Sequence, residues 1–151
     1  MSSCFKEESY PIEPIISFDS YSIQNNRANI VINFTDGDGD IGLRDSDTIS
    51  PFDVNSDFHY NLLIQYFEKD DVLGWVEGKD LQGNPTIFKY RIRPIITKGK
   101  AKGIKGKLDV DMGTLFYNPL SSQNDTIKYK IQLIDKALHK SNLAESITIV
   151  R

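Results

Sequence analysis

Five carboxylates fall within twelve residues of this chain, at Asp36, Asp38, Asp40, Asp45 and Asp47, in the run Thr35-Asp36-Gly37-Asp38-Gly39-Asp40-Ile41-Gly42-Leu43 and the segment after it. Single glycines separate the first three. At neutral pH all five are expected to be ionised, and such crowding costs Coulomb energy unless positive charge sits among them. Oxygen ligands on a backbone that bends freely suit a hard cation, and Ca²⁺ is the expected ion. The EF-hand pattern is not met. With Asp36 as the first loop position, the sixth is Ile41, where Gly is required, and the twelfth is Asp47 in place of the bidentate Glu. Two other readings stay open. Nearby lysines and arginines can neutralise the cluster through surface pairs, or the Asp-Gly alternation only makes tight turns.

The elements that must hold these residues read as strands. Ala28, Ile30, Ile32 and Phe34 alternate with polar or smaller neighbours; so do Phe58, Tyr60, Leu62, Ile64 and Tyr66, and Ile127, Tyr129, Ile131 and Leu133. Period two with β-branched and aromatic residues marks half-buried strands. Further candidates lie at 15–20, 73–77, 86–96, 104–111 and 146–150, with loops by composition at 78–85 and 118–125. No window carries a helical stripe over three turns. The expected fold is all-β, an antiparallel immunoglobulin-like β-sandwich of seven to eight strands. Residues 1–10 read as a tail and 11–151 as one domain.

Immunoglobulin-like strand order makes 27–35 strand B, 58–67 strand C, 86–96 strand D, 104–111 strand E and 126–134 strand F. The B–C, D–E and F–G connections then share one pole. Asp36 continues the inward parity of Phe34, and Asp135 that of Leu133. Asp36, Asp38, Asp40 and Asp135 are therefore the candidate metal ligands. The D–E connection belongs to a basic stretch without acids, Lys89, Arg91, Arg93, Lys98, Lys100, Lys102, Lys105 and Lys107, which is the rival source of positive charge at that pole.

Composition narrows the function. The chain has 151 residues, 39% hydrophobic and 26% charged, which is globular rather than disordered. A net charge of −3 argues against a general nucleic-acid binder. No apolar run reaches a membrane span. Catalytic signatures are missing. His59 lies in a strand pattern and His139 in a turn, without Gly-x-Ser-x-Gly or His-Glu-x-x-His context, and no enzyme is expected. A hydrolase and a glycan-binding module that stacks sugars on Trp75 are the alternatives.

The one cysteine, Cys4, follows Ser2-Ser3 and precedes Phe5-Lys6-Glu7-Glu8-Ser9. Small residues before a Cys and a polar stretch after it match the end of a bacterial lipoprotein signal, with Cys4 as the lipidated residue and Met1 in place of the apolar segment.

The run from Phe34 to Leu43 resembles the Asp-Gly motif of a family of uncharacterised lipoproteins from Bacteroidota. Tyr90 to Ile96 with Arg93-Pro94-Ile95, Ile104-Lys105-Gly106, and the closing Ile134-Asp135-Lys136-Ala137-Leu138-His139-Lys140-Ser141-Asn142 resemble it as well, with His139 where the family pattern has Asn. The resemblance implies an immunoglobulin-like sandwich exported beyond the inner membrane, lipid-anchored in the outer membrane and periplasmic or at the cell surface. Phe5 to Ser9 resembles the signal for its outer face. The expected partner is a protein or glycan there, with the membrane contacted through the anchor alone and the domain monomeric.

Overall fold

The computed structural model describes residues 8–95 and 103–151. Cys4, Lys98, Lys100 and Lys102 lie outside the described residues. Within them the chain forms nine strands and no helix. The strongest period-two patterns make the two central strands. In β2 (Arg27–Asp36), Ala28, Ile30, Ile32, Phe34 and Asp36 are buried, and in β7 (Thr126–Leu133), Ile127, Tyr129, Ile131 and Leu133 are buried. A strand turns successive side chains to opposite faces, so one apolar row faces the interior.

The first sheet is β1 (Ile15–Gln24), β2 and β6 (Ile104–Gly113), all antiparallel. The second has β3 (Leu62–Asp70) beside β7, with β4 (Gly74–Glu77) on its outer edge. β8 (Ala144–Glu145) and β9 (Ile149–Val150) both pair with β7. They are one edge strand interrupted at Ser146, whose Oγ accepts the Tyr129 N–H at 2.9 Å. The two sheets close over a core in which Ile30, Ile32, Ile64, Tyr66, Ile127, Tyr129 and Leu133 are inaccessible. Burying each such side chain stabilises the fold by about 1.5–3 kcal/mol. The Tyr129 hydroxyl donates to Phe116 O at 2.5 Å, tying the start of β7 to the connection before it, as a tyrosine corner does in immunoglobulin-like sandwiches.

The architecture is the all-β antiparallel sandwich expected from the sequence, but strand D is placed differently. β5 (Ile87–Tyr90) is short and pairs with β3, not with β6. It continues β4 along the same edge after a hairpin excursion that leaves at Gly78 and returns at Thr86. The Gly78 N–H donates to Tyr66 O, the Thr86 N–H to Gly78 O and the Tyr66 N–H to Thr86 O. A Cβ on Gly78 would lie 2.2 Å from the Tyr66 ring, so only glycine permits that crossing. Aromatic packing holds β5 there, with the Phe88 ring 6.0 Å from Tyr66 and 6.3 Å from Tyr129. Strand C also starts later than its alternation implies, at Leu62. Residues 58–61 are held by local turns and by Asn61, whose side chain takes the place of a strand neighbour for Ile92. Its Oδ1 accepts the Ile92 N–H at 2.6 Å and its Nδ2 donates to Ile92 O at 3.0 Å.

Candidate metal centre

β2 ends at Asp36 and β7 at Leu133, and their antiparallel neighbours begin at the same pole: Asp36 pairs with Ile104, and Leu133 with Leu62. Asp36 lies in register with the core row of β2 and is fully buried; Asp135, just past β7, is 1% exposed. The loop after β2 bends back so that the Asp40 N–H donates to Asp36 Oδ2 at 2.9 Å. Gly39 makes that bend at φ 71°. The loop after β7 then locks onto it. The Lys136 N–H donates to Asp40 O at 3.2 Å, and the Ala137 N–H to Asp40 Oδ2 at 3.0 Å. Asp135 is held by His139, which donates its backbone N–H to Oδ1 at 2.7 Å and places Nδ1 2.8 Å from Oδ2.

Asp36, Asp38, Asp40 and Asp135 each bring one carboxylate oxygen within 4.8 Å of the others. The structure thus gathers the four candidate ligands, Asp36 and Asp135 by strand parity and Asp38 and Asp40 from the Asp-Gly run. Asp45 and Asp47 go elsewhere. Asp45 pairs with Arg93 at the surface, and Asp47 accepts the Arg44 N–H and the Lys136 ammonium. Those contacts, the backbone one foremost, hold the Asp47 carboxyl below its usual range.

The electrostatics of the cluster are unfavourable as it stands. Burial, then the charges of Asp38 and Asp40, pushes the Asp36 carboxyl up to about 7. Burial and Asp135 push Asp40 up to about 6. Asp36 Oδ1 and Asp40 Oδ1 are buried oxygens without a hydrogen-bond partner. A buried acceptor left unpaired costs about 1–3 kcal/mol, and more when charged. His139 pairs with Asp135 and carries positive charge only when protonated, and its hydrogen bond to Asp135 raises its pKa. Among the described residues of the basic stretch, Lys105 pairs with Glu8, Lys107 with Asp19 and Arg93 with Asp45 rather than with the cluster.

The donor set fits a divalent cation. All four side chains offer hard oxygen, and the four ligand atoms lie within 4.8 Å of one another, close enough to share one metal ion.

The sequence reading missed the part the N-terminal segment plays. The Gly37 N–H donates to Pro11 O at 2.7 Å, and a Cβ on Gly37 would lie 2.2 Å from Tyr10 O. Gly37 is thus fixed by close backbone approach as well as by loop bending. His59 Nδ1 lies 3.0 Å from Phe52 O, and no hydroxyl or thiol is hydrogen-bonded to His139 among the described residues. Trp75 lies half-buried on the outer face of the second sheet, with Lys128 Nζ 4.6 Å and Lys69 Nζ 5.5 Å from its ring centre.

Fold and site together define an all-β sandwich with a four-aspartate pole able to hold a metal ion. No family model, curated protein or solved structure matches the chain.

Proposed function

We propose that this chain is a non-enzymatic binding or accessory module of the bacterial cell envelope, stabilised by Ca²⁺ at its Asp pole and tethered by a lipid on Cys4. The observation that carries the ion is the pair of buried, unpartnered oxygens on Asp36 and Asp40 inside a four-carboxylate cluster. Ca²⁺ would give both a partner and join the first sheet, through Asp36, to the second, through Asp135. Solvent and backbone carbonyls would complete its six to eight ligands.

Calorimetric titration of chelator-treated protein with Ca²⁺ tests the ion. Saturable binding is expected. At a hundredfold excess over Kd the fold gains about 2.7 kcal/mol. For a domain of this size that raises Tm by roughly 5–10 °C. No heat at millimolar Ca²⁺ together with an unchanged Tm would sink the reading. The envelope location rests on Ser2-Ser3-Cys4 and on the resemblance to Bacteroidota lipoproteins. Expression behind a lipoprotein signal should give a protein that partitions into detergent. Cys4→Ala should abolish that partitioning, and equal partitioning of both forms removes the tether.

A further inference from the structure

The Asp pole is gripped by the segment that precedes β1. Residues 8–13 run past the end of β2, and Pro14, the last residue before β1, is buried. Their point of contact is Gly37, which stands between two of the candidate ligands, Asp36 and Asp38. Pro11 O accepts the Gly37 N–H, and the Tyr10 carbonyl lies so close to Gly37 that no side chain fits between them. The Tyr10 ring is set beside the same peptide groups. A Cβ on Gly103 would lie 3.1 Å from Tyr10 Cδ2 and 3.6 and 3.7 Å from the carbonyl oxygens of Asp36 and Gly37. Ring and carbonyls therefore meet at the start of β6, where Ile104 pairs with Asp36.

This contact restrains the metal loop between its ligands. A cation shared by Asp36, Asp38 and Asp40 needs the backbone between them in one conformation, and ordering it costs conformational entropy. A loop already ordered by the segment loses less when the ion binds, and a loop ordered by the ion offers the segment a fixed surface. Charge acts in the same direction. The segment brings Glu8 and Glu13 to an acidic pole. Glu8 is paired with Lys105, whereas the charge of Glu13 acts on His139, the residue bonded to Asp135. Without an ion the carboxylates of the pole repel Glu13, and a divalent cation cancels two of their charges.

Resting on the reading of the pole as a Ca²⁺ site, we infer that its occupancy is coupled to the docking of residues 8–13. Ca²⁺ holds the segment against Gly37, and the docked segment raises Ca²⁺ affinity by the same factor. Coupling between two sites is typically about 5–150-fold. Release of residues 8–13 lengthens the connection from Cys4 to the sandwich by up to about 20 Å. The ion thus sets how far the sandwich stands from a lipid on Cys4.

Two measurements on the full chain test the coupling. A nitroxide on Ser9→Cys, in a Cys4→Ala background, reports the segment by electron paramagnetic resonance. In chelator the spectrum should hold a mobile component that Ca²⁺ diminishes. Calorimetric titration then compares the parent with Tyr10→Gly/Pro11→Gly. That variant removes the ring and frees the released segment, and it leaves every carboxylate in place. Its Ca²⁺ affinity should be about tenfold weaker, and a melting curve checks that it is folded. No heat from the parent removes the ion and the coupling with it. Heat of equal affinity from parent and variant overturns the coupling alone and leaves the Ca²⁺ site standing. A nitroxide spectrum that is the same in Ca²⁺ and in chelator also overturns the coupling, whatever the variant does.

Discussion

Asp36 and Asp135 end core rows in different sheets, are both sealed from solvent, and bring a carboxylate oxygen to within 4.8 Å of each other. Strand parity aims both inward, and a core row that closes on a carboxylate places charge where the apolar interior stops. The position is costly without a cation and stabilising with one, because the same burial that raises a carboxyl pKa strengthens its attraction to a metal.

Asp36→Asn separates the two effects. The amide keeps the shape and removes a charge, so Ca²⁺ affinity should fall by at least about tenfold. The metal-free protein should lose no stability, and should gain about 1–3 kcal/mol if relief of burial and repulsion dominates. Thermal melts with Ca²⁺ and with chelator check it. A variant that binds Ca²⁺ as tightly as the parent removes Asp36 from the ligand set.

The metal-free fold should weaken as pH rises. Burial and neighbouring carboxylates push Asp36 up to about 7 and Asp40 up to about 6 in the native state, against about 3.9 for an aspartate in the unfolded chain. Between about pH 4 and 7 the native state therefore binds more protons than the unfolded chain, and stability falls with rising pH. His139, whose pKa is raised by Asp135, adds in the same direction. Ca²⁺ requires the ionised carboxylates, so its stabilisation should grow over the same window. Melting temperatures from pH 5 to 8, with and without Ca²⁺, should diverge. Parallel curves would contradict the arrangement.

Gly37→Ala should detach the N-terminal segment from the pole. Its methyl would meet Tyr10 O and Pro11 O, both backbone atoms, at 2.2 and 2.6 Å. Overpacking of this kind costs about 1–3 kcal/mol. Limited proteolysis should then cut near Tyr10 faster, while the sandwich itself stays folded. Unchanged cleavage would show that the contact is dispensable.

Asn61→Ala should cost about 1–3 kcal/mol, because the Ile92 N–H loses its partner, the Ile92 carbonyl keeps only the Leu43 N–H, and Asn61 is 2% exposed. Asn142→Ala removes the equivalent clamp on Ile16 at the other side of the sandwich. Asn61→Asp should rescue little, since a carboxylate accepts the Ile92 N–H but cannot donate to its carbonyl. Chemical denaturation measures each.

Period-two alternation was enough to determine the inner and outer faces of β2 and β7, because a strand leaves no choice of side once its apolar row is fixed. The same parity marked Asp36 and Asp135 as inward, and strand order brought their pole together. Alternation could not determine which edge a short strand joins. β5 has four residues, and its place was decided by the Gly78 crossing and by Phe88 against Tyr66 and Tyr129, contacts far apart in sequence. Nor could the spacing of lysines show whether they reach the aspartates. Lys105 and Lys107 lie on the outer face of β6 and spend their charge on Glu8 and Asp19. Residue types and parity, local properties of the chain, thus determined which carboxylates turn inward. That Lys105 and Lys107, among the described residues, pair with Glu8 and Asp19 and not with those carboxylates depends on where distant side chains end up, and only the packed sandwich decided it.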